Sequence, residues 1–215
     1  MGKIILDCGF GAQCKNDISI VRDMIFAIKE IDTGKHEIIF KWQLFEQKTI
    51  PNLIPLSHEI FDGAYNIAKK LGYETTSSVF DEESLDFLLT FNVPWIKIAA
   101  RPDLYKSILP LIKKIPVVVS VGESECWFNK NLQQSNIICY LHCVPNYPAK
   151  IEEYEFLWNN AELNFSISDH TIGFDLYKKY KPTWWEKHYL LKKEPIDDPY
   201  GNDWYATPKE LKEIL

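Results

Sequence analysis

The sequence predicts a (β/α)8 barrel, and three observations carry that expectation. Strand-like and helix-like runs take turns along all 215 residues. Eight runs have strand character, and no linker or shift in composition divides them. Runs such as Pro116–Val121 are apolar without a break, as parallel strands covered on both faces must be. One domain spanning residues 1–215 is therefore expected, compact beside the ~250 residues typical of the fold, with its economy in short second-half crossovers.

Taken in order, Lys3–Cys8 reads as the first strand. Asp17–Ile31 follows with Ile18, Val21, Ile25 and Ile28 at helical spacing and Asp17 placed to cap them. Glu37–Trp42 is the second strand, and Ser57 caps a helix over Ser57–Leu71 that Gly72 ends. Glu74–Val79 is the third strand. Asp81-Glu82-Glu83 then opens a helix with acids where its dipole favours them. Trp95–Ala99 is strand four, Asp103–Lys114 a helix, Pro116–Val121 strand five and Ser124–Leu132 a short helix. Ile137–His142 is strand six, Glu152–Asn159 a weak helix, Asn164–Ser168 strand seven, Gly173–Tyr180 a short helix and Thr183–Tyr189 strand eight. Thr207 as cap and Pro208 at the first helical position start a final helix. An open doubly wound sheet fits less well, because Gly9-Phe10-Gly11-Ala12 lacks the third glycine and the immediate helix of a dinucleotide loop.

A net charge of −6 argues against nucleic-acid or anionic-membrane surfaces. No apolar run approaches the ~20 residues that cross a bilayer. The start, Met1-Gly2-Lys3-Ile4-Ile5-Leu6-Asp7, reads as a strand and not as a signal peptide. Five cysteines without CxxC spacing are expected to be reduced thiols in a cytoplasmic protein. A zinc site from Cys139, His142 and Cys143 is disfavoured, since a strand turns residue 142 away from the other two.

Barrel enzymes build their sites where strands end. Here those ends offer Asp7, then Lys41 and Gln43, then Ser77 and Ser78, then Lys97, Ser120 and His142, with Asn146 and Tyr147 just beyond. Strands seven and eight end in Ser168-Asp169-His170-Thr171 and Glu186-Lys187-His188-Tyr189. Two imidazoles on adjacent strands can reach one metal ion, with Asp169 and Glu186 to orient the rings, or they are two surface histidines at loop starts. Lys41 and Lys97, each inside an apolar strand, must meet an anion or escape to solvent, because an unpaired buried charge is costly. With Ser120 and Ser168 they form a cradle for phosphate or carboxylate; Schiff-base chemistry is the other option.

Several segments together resemble the N-acetylneuraminate (sialic acid) synthase family. They are Phe80-Asp81-Glu82-Glu83-Ser84, Val93-Pro94-Trp95-Ile96-Lys97-Ile98, Leu141-His142-Cys143-Val144-Pro145-Asn146-Tyr147-Pro148, Ser168-Asp169-His170-Thr171-Ile172-Gly173 and Glu186-Lys187-His188. The resemblance implies a metal-dependent barrel that condenses phosphoenolpyruvate with an N-acetylated amino sugar. It places His170 and His188 as ligands of manganese or magnesium. Lys41 and Lys97 then hold phosphoenolpyruvate with Ser78, Ser120 and Ser168; Asp7 stands for a first-strand glutamate; and Tyr147, Gln43, Asn146 and Asp203 lie near the acceptor sugar. A homodimer is among the arrangements it allows, with Trp184-Trp185 or Trp158 in the contact.

The chain departs from the family pattern in three places. Asp7-Cys8-Gly9-Phe10-Gly11-Ala12 lacks the family's Asn and His. After Lys97, Ala99-Ala100-Arg101-Pro102-Asp103 replaces a Ser and a Gly-Glu pair, for which Asp103 or Glu123 are the substitutes on offer. The C-terminal antifreeze-like domain is expected to be missing beyond Leu215. A sugar-acid synthase is thus the first expectation, a non-catalytic or altered-specificity descendant binding a metal, an anionic ligand or a protein partner the second, and another metal-dependent lyase or hydrolase the third.

Overall fold

A computed structural model describes residues 2–122, 132–160, 166–196 and 198–215, with backbone alone over 156–160. Eight parallel strands close into a barrel in sequence order. They are β1 (Lys3–Asp7), β2 (Glu37–Leu44), β3 (Glu74–Val79), β4 (Ile96–Ile98), β5 (Val117–Val121), β6 (Ile137–Cys143), β7 (Ser166–Asp169) and β8 (Trp184–His188). The seam joins β1 to β8, with Asp7 in register with His188 on one side and with Lys41 of β2 on the other.

The caps form as their chemistry requires. Asp17 accepts the Ser19 N–H ahead of α2 (Ile18–Ile31), which follows a short α1 (Gly11–Cys14) that the sequence pattern does not announce. Ser57 accepts the Ile60 N–H at the start of α3 (His58–Lys70), and Asp81 the Ser84 N–H before α4 (Glu82–Leu88). The helix expected over Asp103–Lys114 is α5 (Pro102–Ser107) followed by a 3-10 turn over Leu109–Leu111, because Pro110 donates no hydrogen bond and interrupts the α ladder. Glu152–Asn159 falls in a 3-10 helix, Ile151–Asn160. Then come α6 (Asp175–Tyr180) and α7 (Pro208–Leu211), the latter opened by a Thr207–Glu210 capping box. The helix expected over Ser124–Leu132 lies almost wholly outside the described residues, as do Glu123, Cys126 and the first residues of the seventh strand run.

The period-2 alternation of strands sorts side chains into two shells. Ile4, Leu6, Phe40, Trp42, Val117, Val119 and Trp185 face outward into the main core under the helices. Ile5, Ile39, Val118, Cys139 and Leu141 point inward and fill the lower barrel. One layer higher on the same inner face the residues turn polar: Asp7, Lys41, Ser78, Lys97, Ser120, Ser168 and Glu186, all buried. Trp185 is fully buried and donates its Nε1 to Asp169 at 2.9 Å, so it is core and not a subunit contact. The Trp158 side chain lies outside the described residues. Among the described residues no helix is long and apolar enough to cross a membrane.

Candidate active site

The upper inner layer is a buried ionic floor. Lys41 Nζ donates to Asp7 Oδ2 at 2.6 Å and to Ser78 Oγ at 3.2 Å. Lys97 Nζ donates to Ser120 Oγ at 2.7 Å and to Glu186 Oε1 at 3.3 Å. The same Glu186 oxygen accepts from Ser168 Oγ at 2.9 Å and lies 3.8 Å from Lys41. Gln43 Nε2 and the Gly9 N–H, each at 3.0 Å, complete the donors to Asp7. Four charges tolerate this depth only because they are paired and hydrogen-bonded.

The pairing sets protonation. Burial works to raise the Asp7 and Glu186 carboxyls, but Lys41 holds both below their ordinary range, joined by His188 at Asp7 and by Lys97 at Glu186. Burial also opposes the Lys41 ammonium, yet Asp7 and Glu186 raise its pKa. At Lys97 burial wins and the pKa falls. Lys97 is thus the less completely neutralised cation, and it gains more from an incoming anion.

Two imidazoles stand above this floor. His170 Nδ1 lies 2.6 Å from the Val144 carbonyl, which can only accept, so Nδ1 carries the proton and Nε2 offers a lone pair. His188 Nε2 faces Asp7 Oδ2 at 3.3 Å, while its Nδ1 is buried without a hydrogen-bond partner. Burial lowers His170 to about 4 and His188 to about 3, so both rings are neutral near pH 7. Their centroids are 5.9 Å apart. Two neutral imidazoles beside a carboxylate suit a divalent cation by donor chemistry. As the side chains lie, no three His, Cys, Asp or Glu among the described residues are gathered tightly enough to grip one.

Above the floor opens a pocket of about 370 Å³, within the size range of small-molecule sites. Asp7, Lys41, Gln43, Ser78, Lys97, Ser120, Tyr147, Ser168, His170 and His188 all line it, so ten of the sequence candidates converge. Tyr147 does so by stacking on His170 with centroids 4.3 Å apart. Asn146 does not join them, because its exposed amide turns outward to Glu153. Asp203 is exposed too, and Lys193 ties down its carbonyl at 3.1 Å, whereas Asp198 of the same loop reaches the pocket.

Other expectations also need correction. Asp169 sits on the outward face of β7 and accepts from Thr171 and Trp185, so it cannot orient the imidazoles. Ser77 points outward while Ser78 points in. Asp103 lies outside the pocket and holds Arg101, with Nη2 to Oδ2 at 2.6 Å. Sequence reasoning underrated Glu186 as the hub of the floor, although alternation from His188 puts it on the inner face. It missed Tyr200, Trp204 and Tyr205, which come from a loop with no periodicity to read, and Gln13 of the short α1, which bonds to Tyr205.

Relatives of known type share this architecture. The chain is 25% identical to N,N'-diacetyllegionaminic acid synthase of Legionella pneumophila, over 95% of its own length and 68% of that protein. It is 28% identical to pseudaminic acid synthase of Helicobacter pylori, over 85% of its length and 64% of that protein. Among solved structures, the N-acetylneuraminic acid (sialic acid) synthetase from Leptospira borgpetersenii superposes with a TM-score of 0.72 at 22% identity, covering 98% of this chain and 80% of that one. The spore coat polysaccharide biosynthesis protein of Bacillus subtilis gives 0.72 at 21% identity, covering 99% and 65%. The NeuB family model matches residues 30–214, from before β2 to the end of the barrel, and the chain belongs to the NeuB family.

Proposed function

We propose that the chain joins phosphoenolpyruvate to the aldehyde of an N-acylated amino sugar, giving a sialic-acid-like nonulosonic acid and inorganic phosphate. The carrying observation is the floor itself: two lysines from non-adjacent strands and three serine hydroxyls converge beside two neutral imidazoles. The names of the Legionella and Helicobacter relatives, synthases of legionaminic and pseudaminic acid, support the same reading.

Lys41, Lys97 and the hydroxyls of Ser78, Ser120 and Ser168 neutralise the phosphate and carboxylate of phosphoenolpyruvate. C3 of that substrate forms the new bond to the aldehyde carbon, and the aldehyde oxygen gains a proton to become a hydroxyl. Water adds at C2, and the bond from C2 to the phosphate oxygen breaks to release inorganic phosphate. Glu186, whose Oε2 is buried without a hydrogen-bond partner, is placed to take the water's proton. His170, His188 and Asp7 would hold a divalent cation, Mn2+ suiting their nitrogen-rich set better than Mg2+. Bound there, such an ion supplies Lewis acidity to the aldehyde oxygen.

Incubation with Mn2+, phosphoenolpyruvate and a panel of N-acylated sugars should release phosphate. Silence with every sugar, alongside intact binding of Mn2+ or phosphoenolpyruvate, refutes the enzyme and leaves a ligand-binding descendant. One observation favours that second reading: Ala99 and Ala100 line the pocket where the family pattern has a hydroxyl and a carboxylate nearby. His170→Ala and His188→Ala should each lose stoichiometric Mn2+ uptake by equilibrium dialysis; full uptake by both variants would rule these ligands out.

A further inference from the structure

Between β6 and β7 the chain buries one phenol completely. Tyr154, on the 3-10 helix Ile151–Asn160, packs in an apolar cluster with Val144, Ala149, Ile167 and Leu176. A hydroxyl at that depth needs partners, and this one has three. It donates to the Ser168 carbonyl at 2.8 Å, and its oxygen accepts the His170 N–H at 3.2 Å and the Val144 N–H at 3.4 Å. Burial pushes the phenol well above its ordinary range, so it keeps its proton and stays a donor.

Those partners frame His170. The ladder between β6 and β7 pairs His142 with Ile167 and Cys143 with Ser168 and stops there. Val144 and His170 lie just past the two strand ends, where the phenol continues the join that the ladder has dropped. Val144 also grips the imidazole, with its carbonyl 2.6 Å from Nδ1. Further along the same crossover, the Ala149 N–H donates to the His170 carbonyl at 2.9 Å. Ser168, whose carbonyl takes the phenol's hydrogen bond, sends its own hydroxyl to Glu186 at 2.9 Å. One oxygen therefore ties the residue that carries the ring to the residue that holds the ring's proton.

We propose that Tyr154 is the positioning residue of His170: it keeps the Val144 carbonyl opposite Nδ1, so that the ring offers Nε2 as a lone pair to the pocket. Which imidazole nitrogen carries the proton follows from the bond that the other makes. If Val144 drifts from the ring, the alternative tautomer puts an N–H where a cation needs a lone pair. Tyr154 touches neither substrate nor ion and acts only through the two strand ends. The inference deepens the reading of His170 as an ion ligand and rests on it for its metal-binding part.

NMR of protein labelled with 15N at histidine reads the tautomer without turnover, the His170 signals being those that His170→Ala removes. The unmodified protein should show a neutral His170 protonated at Nδ1. Tyr154→Phe keeps the ring and loses the hydroxyl. It should give mixed tautomers at His170 and weaken Mn2+ binding in equilibrium dialysis about ten- to a hundredfold, the usual result of freeing a ligating imidazole from its support. Leu176→Ala, in the same buried cluster, should lower the urea midpoint and leave both readouts unchanged. An Nε2-protonated His170 in the unmodified protein overturns the inference. So does a folded Tyr154→Phe with the tautomer unchanged, or a Leu176→Ala that reproduces the Tyr154→Phe effects. Should Tyr154→Phe not fold, amide exchange in the unmodified protein decides: slow exchange at both Val144 and His170 supports the join, and fast exchange at either overturns it. A tautomer that shifts in Tyr154→Phe, in a protein that takes up no Mn2+ even unmodified, refutes the ion-ligand reading alone.

Discussion

Lys97→Met should lower kcat/KM for phosphoenolpyruvate by about 10²–10³, the effect of deleting one preorganised charged donor from a water-poor site. Lys97 is fully buried on the inner face of β4, between Ser120 Oγ at 2.7 Å and Glu186 Oε1 at 3.3 Å. Methionine keeps the length and fills the volume, so the loss reports charge and donor capacity. Lys41→Met gives a useful contrast. Lys41 is tied to Asp7 at 2.6 Å and its pKa is raised, so its removal should harm folding as well as binding. Lys97, whose pKa is lowered, should cost mainly binding and turnover. Steady-state kinetics with phosphoenolpyruvate varied would decide it, and a loss under threefold would remove Lys97 from the site.

The largest loss of stability should come from Asp169→Ala, about 3–5 kcal/mol in urea unfolding. Asp169 is fully buried among the outward-facing residues and accepts four times: from Thr171 N–H at 2.8 Å, Thr171 Oγ1 at 2.7 Å, Trp185 Nε1 at 2.9 Å and Lys187 Nζ at 3.3 Å. Alanine leaves the Lys187 ammonium, itself buried, without its counter-ion, and an indole N–H without its acceptor. The double variant Asp169→Ala/Lys187→Met should regain much of the loss by removing the orphaned charge. A single-variant effect below about 1 kcal/mol would mean that water reaches this layer.

These two residues show where the sequence could be read and where it could not. Both lie on short strands, and the strands were legible because β propensity and period 2 agree there: Glu74–Val79 matches residue for residue, and the caps Asp17, Ser57 and Thr207 stand where their side-chain chemistry puts them. What misled was reading a strand end as a patch instead of as two faces. Asp169 and His170 are adjacent in sequence, yet Asp169 turns to the helices and His170 to the pocket. Glu186 and Lys187 divide in the same way. The loop residues were less legible still. Asp203 fits a family pattern, but Asp198 is the acid carried inward, because Tyr205 and Gln13 anchor it through contacts no local pattern encodes.

The seam between β1 and β8 carries a kinetic consequence. Asp7 and His188, neighbours across that seam, lie about 180 residues apart in sequence, and β1–β8 is the longest-range strand pairing of the barrel. The Asp7–His188 contact above the floor therefore exists only once the first strand has found the last. Contacts of such high order form slowly, so ligand-binding competence should emerge with the final cooperative step of folding and not before it. For this barrel, ring closure and site assembly are one event.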